Sequence, residues 1–180
     1  MKPFLFEVMK EIIGDTECNF IGEIGTHKGG TAQQFINLFA PRSKNLTYYG
    51  YDVFDADNPD KQLHKRERNG KAPASFNVAT STLNKLKKIH TNLDYKLHKG
   101  FTTDTLVKPV VFDFVYIDGG HSYETVKHDY SMVKDSKIIV FDDVKITGVN
   151  KFINELIDQG VNLEIVKTQT SKHVWAVVRN

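Results

Sequence analysis

Five acidic side chains, Glu23, Asp52, Asp118, Asp142 and Asp143, stand at or just past the carboxyl ends of short apolar runs. Glycine turns accompany most of them. Gly25, Gly29 and Gly30 follow Glu23, Gly100 opens the stretch Phe101-Thr102-Thr103-Asp104, and Gly119-Gly120-His121 follows Asp118. Glycine lets the backbone turn tightly and approach a ligand, and a helix that starts beyond such a turn offers its first amides to an anion. A cleft lined by these carboxylates repels a pyrophosphate. It attracts a ligand carrying a sulfonium and an ammonium, or a divalent cation. The glycine loop also departs from the dinucleotide pattern, which needs glycine where this chain has His27.

S-adenosylmethionine meets these requirements. Its carboxylate would lie at the amides near Thr31, where a helix begins, and Asp52 is placed to accept both ribose hydroxyls. Read without a ligand, Glu23 is a surface acid at a strand end, Asp52 caps the next segment, and His27 packs or faces solvent.

The elements that must carry these residues follow from periodicity. Phe4 to Ile13 has helical spacing and can end at Gly14. Cys18–Ile24, Leu46–Asp52, Tyr95–Lys99, Phe112–Ile117 and Lys137–Phe141 read as strands. Gly29–Phe39, Phe76–Ile89, Ser122–Val133 and Val149–Ile157 read as the helices between them, with Ser122 as an N-cap. Strands separated by helices imply right-handed crossovers and a mostly parallel sheet. Leu163–Thr168 and His173–Val178 are joined by Gln169–Lys172 alone, too short for a crossover, so this pair is predicted antiparallel. The expectation is an α/β fold, an open three-layer sandwich with an antiparallel edge. Ligands of such sheets bind beyond the carboxyl ends of the strands, where the acids and glycines collect.

Composition narrows the class. The 180 residues are 40% hydrophobic and 26% charged, values of a globular chain that sizes as one domain. The net charge of +2 makes no case for nucleic acid or an anionic membrane. The single cysteine, Cys18, excludes an internal disulfide and a four-cysteine zinc site. No apolar run reaches the roughly 18 residues a membrane span needs, and Glu7 interrupts the start too early for a signal peptide. The expectation is a cytoplasmic protein acting on a small molecule, with assembly into a homo-oligomer left open.

Four stretches resemble the class I S-adenosylmethionine-dependent methyltransferases. They are Glu23-Ile24-Gly25-x-x-x-Gly29-Gly30-Thr31, Gly50-Tyr51-Asp52, Phe112 through Tyr123, and Ile138-Ile139-Val140-Phe141-Asp142-Asp143. The third, containing Ile117-Asp118-Gly119-Gly120-His121-Ser122-Tyr123, is similar to the group with an Ile-Asp-Gly-x-His-x-Tyr segment, and more distantly to catechol O-methyltransferases. The resemblance implies a Rossmann-like sheet of seven strands ordered 3-2-1-4-5-7-6. It implies that Glu23, Gly25 and Thr31 hold the methionine moiety, with Thr26, His27 and Gly29 completing the loop. Asp52 would hold the ribose, Thr102 with Phe101 beside it the adenine, and Asp118 would also touch the cofactor. Cation-dependent relatives bind a metal through the positions of Asp118, Asp142 and Asp143. Asp143 departs from the Asp-Asn pair of the catechol group, and a third carboxylate favours a hard cation such as Mg²⁺. Without a metal, Asp142 and Asp143 would be turn caps. His121 takes the place of the catechol group's catalytic lysine and reads as a general base, a metal ligand or a loop-bonding residue.

The implied activity is transfer of a methyl group to a small-molecule acceptor, with a hydroxyl oxygen as the expected site. A different nucleotide-using enzyme, such as an NAD-dependent oxidoreductase, and a non-catalytic cofactor-binding module stay open. Residues 56–75 form a polar insertion with Lys61, His64, Lys65, Arg66, Arg68 and Lys71, readable as a lid or as a solvated loop. Aromatic residues barely interleave with these charges, which speaks against a single-stranded nucleic-acid groove. Tyr123, Tyr130, Trp175 and Cys18 read as packing residues.

Overall fold

The computed structural model describes residues 3–14, 16–55, 74–168 and 173–180, with the side chains of residues 3–6 outside that description. Most of the insertion at 56–75 and the connection at 169–172 lie outside the described residues. Among the described residues, fourteen segments of regular backbone follow in order. The helices are α1 (Pro3–Ile13), α2 (Gly30–Phe39, extended by a short 3₁₀ turn), α3 (Phe76–Ile89), α4 (Thr102–Thr105), α5 (Tyr123–Val133) and α6 (Thr147–Asp158). The strands are β1 (Phe20–Ile24), β2 (Leu46–Asp52), β3 (Leu93–Lys99), β4 (Phe114–Ile117), β5 (Ile138–Phe141), β6 (Leu163–Lys167) and β7 (Val174–Arg179).

The strands form one sheet in the order β3-β2-β1-β4-β5-β7-β6. The first five run parallel, and β7 is antiparallel to both β5 and β6. The central strands β4 and β5 are buried along their whole length, as strands covered on both faces must be. Alternation divides their side chains between two cores. Phe114 and Tyr116 of β4, with Val140 and Trp175, pack under α1, α2 and α3 beside Met9, Phe35, Phe39 and Leu83. Val115 and Ile117, with Ile139 and Phe141, pack under α5 and α6 beside Val126, Val133, Phe152 and Ile153. Tyr116 and Trp175 thus belong to one core and point their polar tips along it, which matters for the site.

The boundaries differ from the sequence reading in small ways. β1 starts at Phe20 because the Asn19 and Phe20 amides are taken by the Asp113 carboxylate instead of a neighbouring strand. β3 starts two residues early, its register to β2 beginning at Leu46 and Leu93. The short helix α4 is unanticipated, since Thr102-Thr103-Asp104-Thr105 has no apolar period to reveal it.

Candidate functional site

The carboxyl ends of β1, β2, β3, β4 and β5 bring the expected residues to one edge. At the end of β1 the Glu23 side chain is fully buried. The Tyr48 hydroxyl donates to its Oε2, and Tyr48 in turn bonds Thr26 Oγ1 at 3.2 Å. Glu23 Oε1 has no hydrogen-bond partner among the described residues. Desolvation pushes the Glu23 carboxyl up to about 8. The Tyr48 bond works in the opposite direction, and the charges of Asp118 and Asp52 add to the rise.

Gly25 follows at φ +99, and a Cβ there would run into the carbonyl of Asp118. Only glycine lets the β1 and β4 turns lie this close. The Gly25 amide donates to Tyr51 O at 2.8 Å, and the Asp118 amide donates to Ile24 O at 2.8 Å, tying three strand ends together. Gly50 on β2 leaves room for the neighbouring side chains, since a Cβ there would stand 2.5 Å from Thr26 Oγ1 and 2.7 Å from Leu97. Gly29, at φ +80, caps α2 and hands the chain to Thr31 in the first helical turn.

Asp52 accepts the His27 amide on Oδ2 at 2.8 Å and the Phe54 amide on Oδ1 at 2.7 Å. The Gly100 amide donates to the Asp52 carbonyl at 3.0 Å, bringing Phe101 and Thr102 beside the β2 end. Glu23, Asp52 and Thr102 therefore stand at or just past the ends of three neighbouring strands, β1, β2 and β3.

Across β4 the arrangement differs from the expected set of three carboxylates. Donor atoms of Asp118, His121 and Asp143 lie within 4.8 Å of one another, the spacing of a cation site. His121 Nε2 is 3.1 Å from Asp143 Oδ2, and the imidazole is the more enclosed partner. Asp142 is not in this cluster. It is buried, its Oδ2 accepts the Tyr116 hydroxyl at 2.6 Å, and its Oδ1 accepts the Asp143 amide at 2.8 Å. Adjacent residues on an extended chain point oppositely. The left-handed backbone at Asp143, φ +52, turns its carboxylate toward His121.

Several residues of the site were not singled out from sequence. Tyr48 and Tyr116 sit in apolar strands, and the signal was available: a buried phenol needs a partner for its hydroxyl. Trp175 is core as expected, and its indole N–H also donates to the Tyr116 hydroxyl at 3.3 Å. Gly148 is a steric feature. A Cβ there would strike the His121 carbonyl and come within 2.7 Å of the Tyr123 nitrogen, so α6 packs against the backbone that carries His121. Ser122 caps α5 as expected, accepting from the Thr125 amide at 3.2 Å. Asp129, buried on α5, lies under the Gly119 turn. Tyr130 packs on Phe141 and Phe152 as expected, and Tyr123 also packs on Phe152, with its hydroxyl bonded to Glu155 and the ammonium groups of Lys127 and Lys151 near its ring.

Three solved structures share this architecture. The O-methyltransferase NovP aligns with a TM-score of 0.69 and 14% identity, over 97% of this chain and 77% of its own. An O-methyltransferase from Bacillus cereus in complex with SAH aligns with a TM-score of 0.64 and 14% identity, over 100% and 82%. The O-methyltransferase TomG from Streptomyces achromogenes, in complex with SAM, aligns with a TM-score of 0.58 and 16% identity, over 98% and 78%. At these identities the likeness is one of fold. No curated protein matches the chain. The sequence family described as methyltransferase domain matches residues 23–144, from the buried glutamate of β1 to the turn after Asp143. With the sheet order agreeing with that match, the chain belongs to the methyltransferase domain family.

Proposed function

We propose that this protein transfers the methyl group of S-adenosylmethionine to a hydroxyl oxygen of a small-molecule acceptor. The observation that carries the reading is Glu23: a wholly buried carboxyl group beside a glycine turn, with one oxygen lacking a partner among the described residues. A buried acceptor is expected to be satisfied, and a cationic ligand at this turn would satisfy it. The complexes with SAM and SAH among the structurally similar proteins support the same cofactor.

In this reading Glu23, Gly25 and Thr31 hold the methionine moiety, with Thr26, His27 and Gly29 shaping the loop. Asp52 accepts the ribose hydroxyls in addition to the His27 and Phe54 amides that its carboxylate already accepts. Phe101 and Thr102 hold the base, and Asp118 borders the cofactor and the acceptor. When bound, the cofactor supplies an activated methyl on a sulfonium that leaves readily. The protein's contribution is alignment and removal of the acceptor proton. His121 is the base, with the Asp143 carboxylate 3.1 Å from its Nε2.

Two carboxylates and an imidazole fit a divalent cation such as Mg²⁺ or Mn²⁺. Asp118 and Asp143 would hold it, and its chemistry there would be to lower the acceptor's pKa. Asp142, also implied as a ligand by the family resemblance, would have to exchange its bonds to Tyr116 and the Asp143 amide for the cation.

The test is calorimetry with S-adenosylhomocysteine and NAD, followed by labelled methyl transfer into a metabolite extract. Binding of the first ligand alone is expected, together with a labelled product that survives mild base, as a methyl ether does and a methyl ester does not. Retention of NAD, or binding without product from any acceptor, would replace this reading with an oxidoreductase or a binding module.

A further inference from the structure

Among the described residues, three that are not glycine adopt left-handed backbone: His27 at φ +50, Phe54 at φ +51 and Asp143 at φ +52. An L-residue is disfavoured there, so something must hold it. In all three the amide is accepted by an aspartate carboxylate at a strand end. Asp52 holds His27 and Phe54, and Asp142 holds Asp143. The Asp142 bond fixes the residue whose carboxylate stands against His121.

Asp142 is itself held from the core. Tyr116 is fully buried on β4, and its hydroxyl donates to Asp142 Oδ2 at 2.6 Å. Trp175, fully buried on β7, donates its indole N–H to the same Tyr116 oxygen at 3.3 Å. An indole can only donate, so the phenol oxygen accepts from Trp175 and its single proton goes to Asp142. The direction of the chain is thereby fixed: Trp175 to Tyr116, Tyr116 to Asp142, and the Asp143 amide to Asp142 from the other side. Gly148 meanwhile lets α6 press on the His121 carbonyl and fixes the other end of the pair.

We propose that Tyr116, Trp175 and Asp142 are positioning residues for the His121–Asp143 pair, acting through the left-handed turn at Asp143. The substrate-side geometry is then set from inside the sheet, by a hydroxyl and an indole that are both buried in the core. Asp142 contributes through its hydrogen bonds, apart from any role as a cation ligand. The proposal rests on the methyltransferase reading only for its kinetic consequence; the geometric claim concerns the pair itself.

Tyr116→Phe removes one oxygen and keeps the ring in its core. The direct readout is the imidazole of His121 in nitrogen-15 NMR of the whole protein, assigned by comparison with His121→Gln. In Tyr116→Phe and Asp142→Asn the His121 ring signals should move, while those of His90 and His98 stay within their native positions. S-adenosylhomocysteine affinity should remain within about twofold of native, whereas kcat should fall about tenfold with the cofactor KM unchanged, the usual scale for removing an outer partner. Trp175→Phe should move the same signals in the same direction. If Tyr116→Phe fails to fold, Asp142→Asn carries the decision, because it keeps the size of the side chain. His121 signals that stay at native positions in the folded variants would overturn the proposal. Failure of the native protein to bind S-adenosylhomocysteine would instead overturn the cofactor reading, and the imidazole signals would still decide this one.

Discussion

Burial keeps the Glu23 carboxyl protonated far past the pH at which an exposed glutamate ionises, its pKa rising from 4.5 to about 8. The folded state then holds a proton that the unfolded chain has released. Stability without ligand should therefore be greatest below pH 4.5 as far as this group is concerned, and should fall as pH rises toward about 8. One proton of linkage amounts to about 1.4 kcal/mol per pH unit at most. Glu23→Gln should flatten this part of the profile, and thermal melts of both proteins from pH 5 to 8.5 measure it; parallel curves would show that Glu23 carries its charge without penalty. Asp52 presents a different balance. It already accepts two amides, so Asp52→Ala should loosen the turns at His27 and Phe54 as well as removing ribose acceptors. A loss of about 2–3 kcal/mol in S-adenosylhomocysteine binding is expected for one or two charge-assisted bonds. Unchanged affinity by calorimetry would leave Asp52 with the turns alone.

Helix α6 reaches the site through an absent side chain. A methyl group at Gly148 would overlap the His121 carbonyl, and the neighbours it meets are backbone atoms that cannot swing aside. Gly148→Ala should therefore destabilise the fold by about 1–3 kcal/mol, the range for overpacking. Gly30, at the start of α2, meets nothing within 4 Å, so Gly30→Ala should cost little or add a few tenths of a kcal/mol. Urea melts of the two variants make a matched pair. Equal stabilities would mean that α6 shifts freely and does not brace His121. The short strands β4 and β5 show the same logic from the inside. With four residues each, they can deliver Asp118 and Asp142 to one edge only because parallel pairing aligns Ile117 with Phe141.

On the proposed function the sheet would separate two tasks. The ends of β1, β2 and β3 would serve the cofactor, while the ends of β4 and β5 carry Asp118, His121 and Asp143. Damage on the second side should leave the first working. His121→Gln is expected to bind S-adenosylhomocysteine within about threefold of native and to lose methyl transfer by about 10²-fold or more, the contribution of a positioned base. Chelation should lower the native rate, with recovery on adding Mg²⁺ or Mn²⁺. Full activity in excess chelator would remove the cation from the reaction and leave His121 and Asp143 to act alone.

Much of this could be read along the chain because it is local. Alternating apolar runs and helical periods mark the strands and helices, and an acid or glycine after each run marks the edge where ligands bind, as at Glu23-Ile24-Gly25 and Asp118-Gly119-Gly120. The antiparallel closing pair follows from a connection too short for a crossover. Helix α4 escaped because a four-residue turn has no period. What lay beyond the sequence was which atoms meet. Adjacent aspartates read as two ligands of one cation, yet the turn at Asp143 sends one carboxylate to His121 while Asp142 faces the core. Tyr48 reaches Glu23 across 25 positions and Trp175 reaches Tyr116 across 59, each between strands that the sheet order brings within reach. Periodicity assigns a side chain to a face, because that depends on the backbone repeat alone. Its partner depends on strand register, on the sign of φ at a single residue and on where a helix can approach a glycine, and those exist only once the sheet has closed.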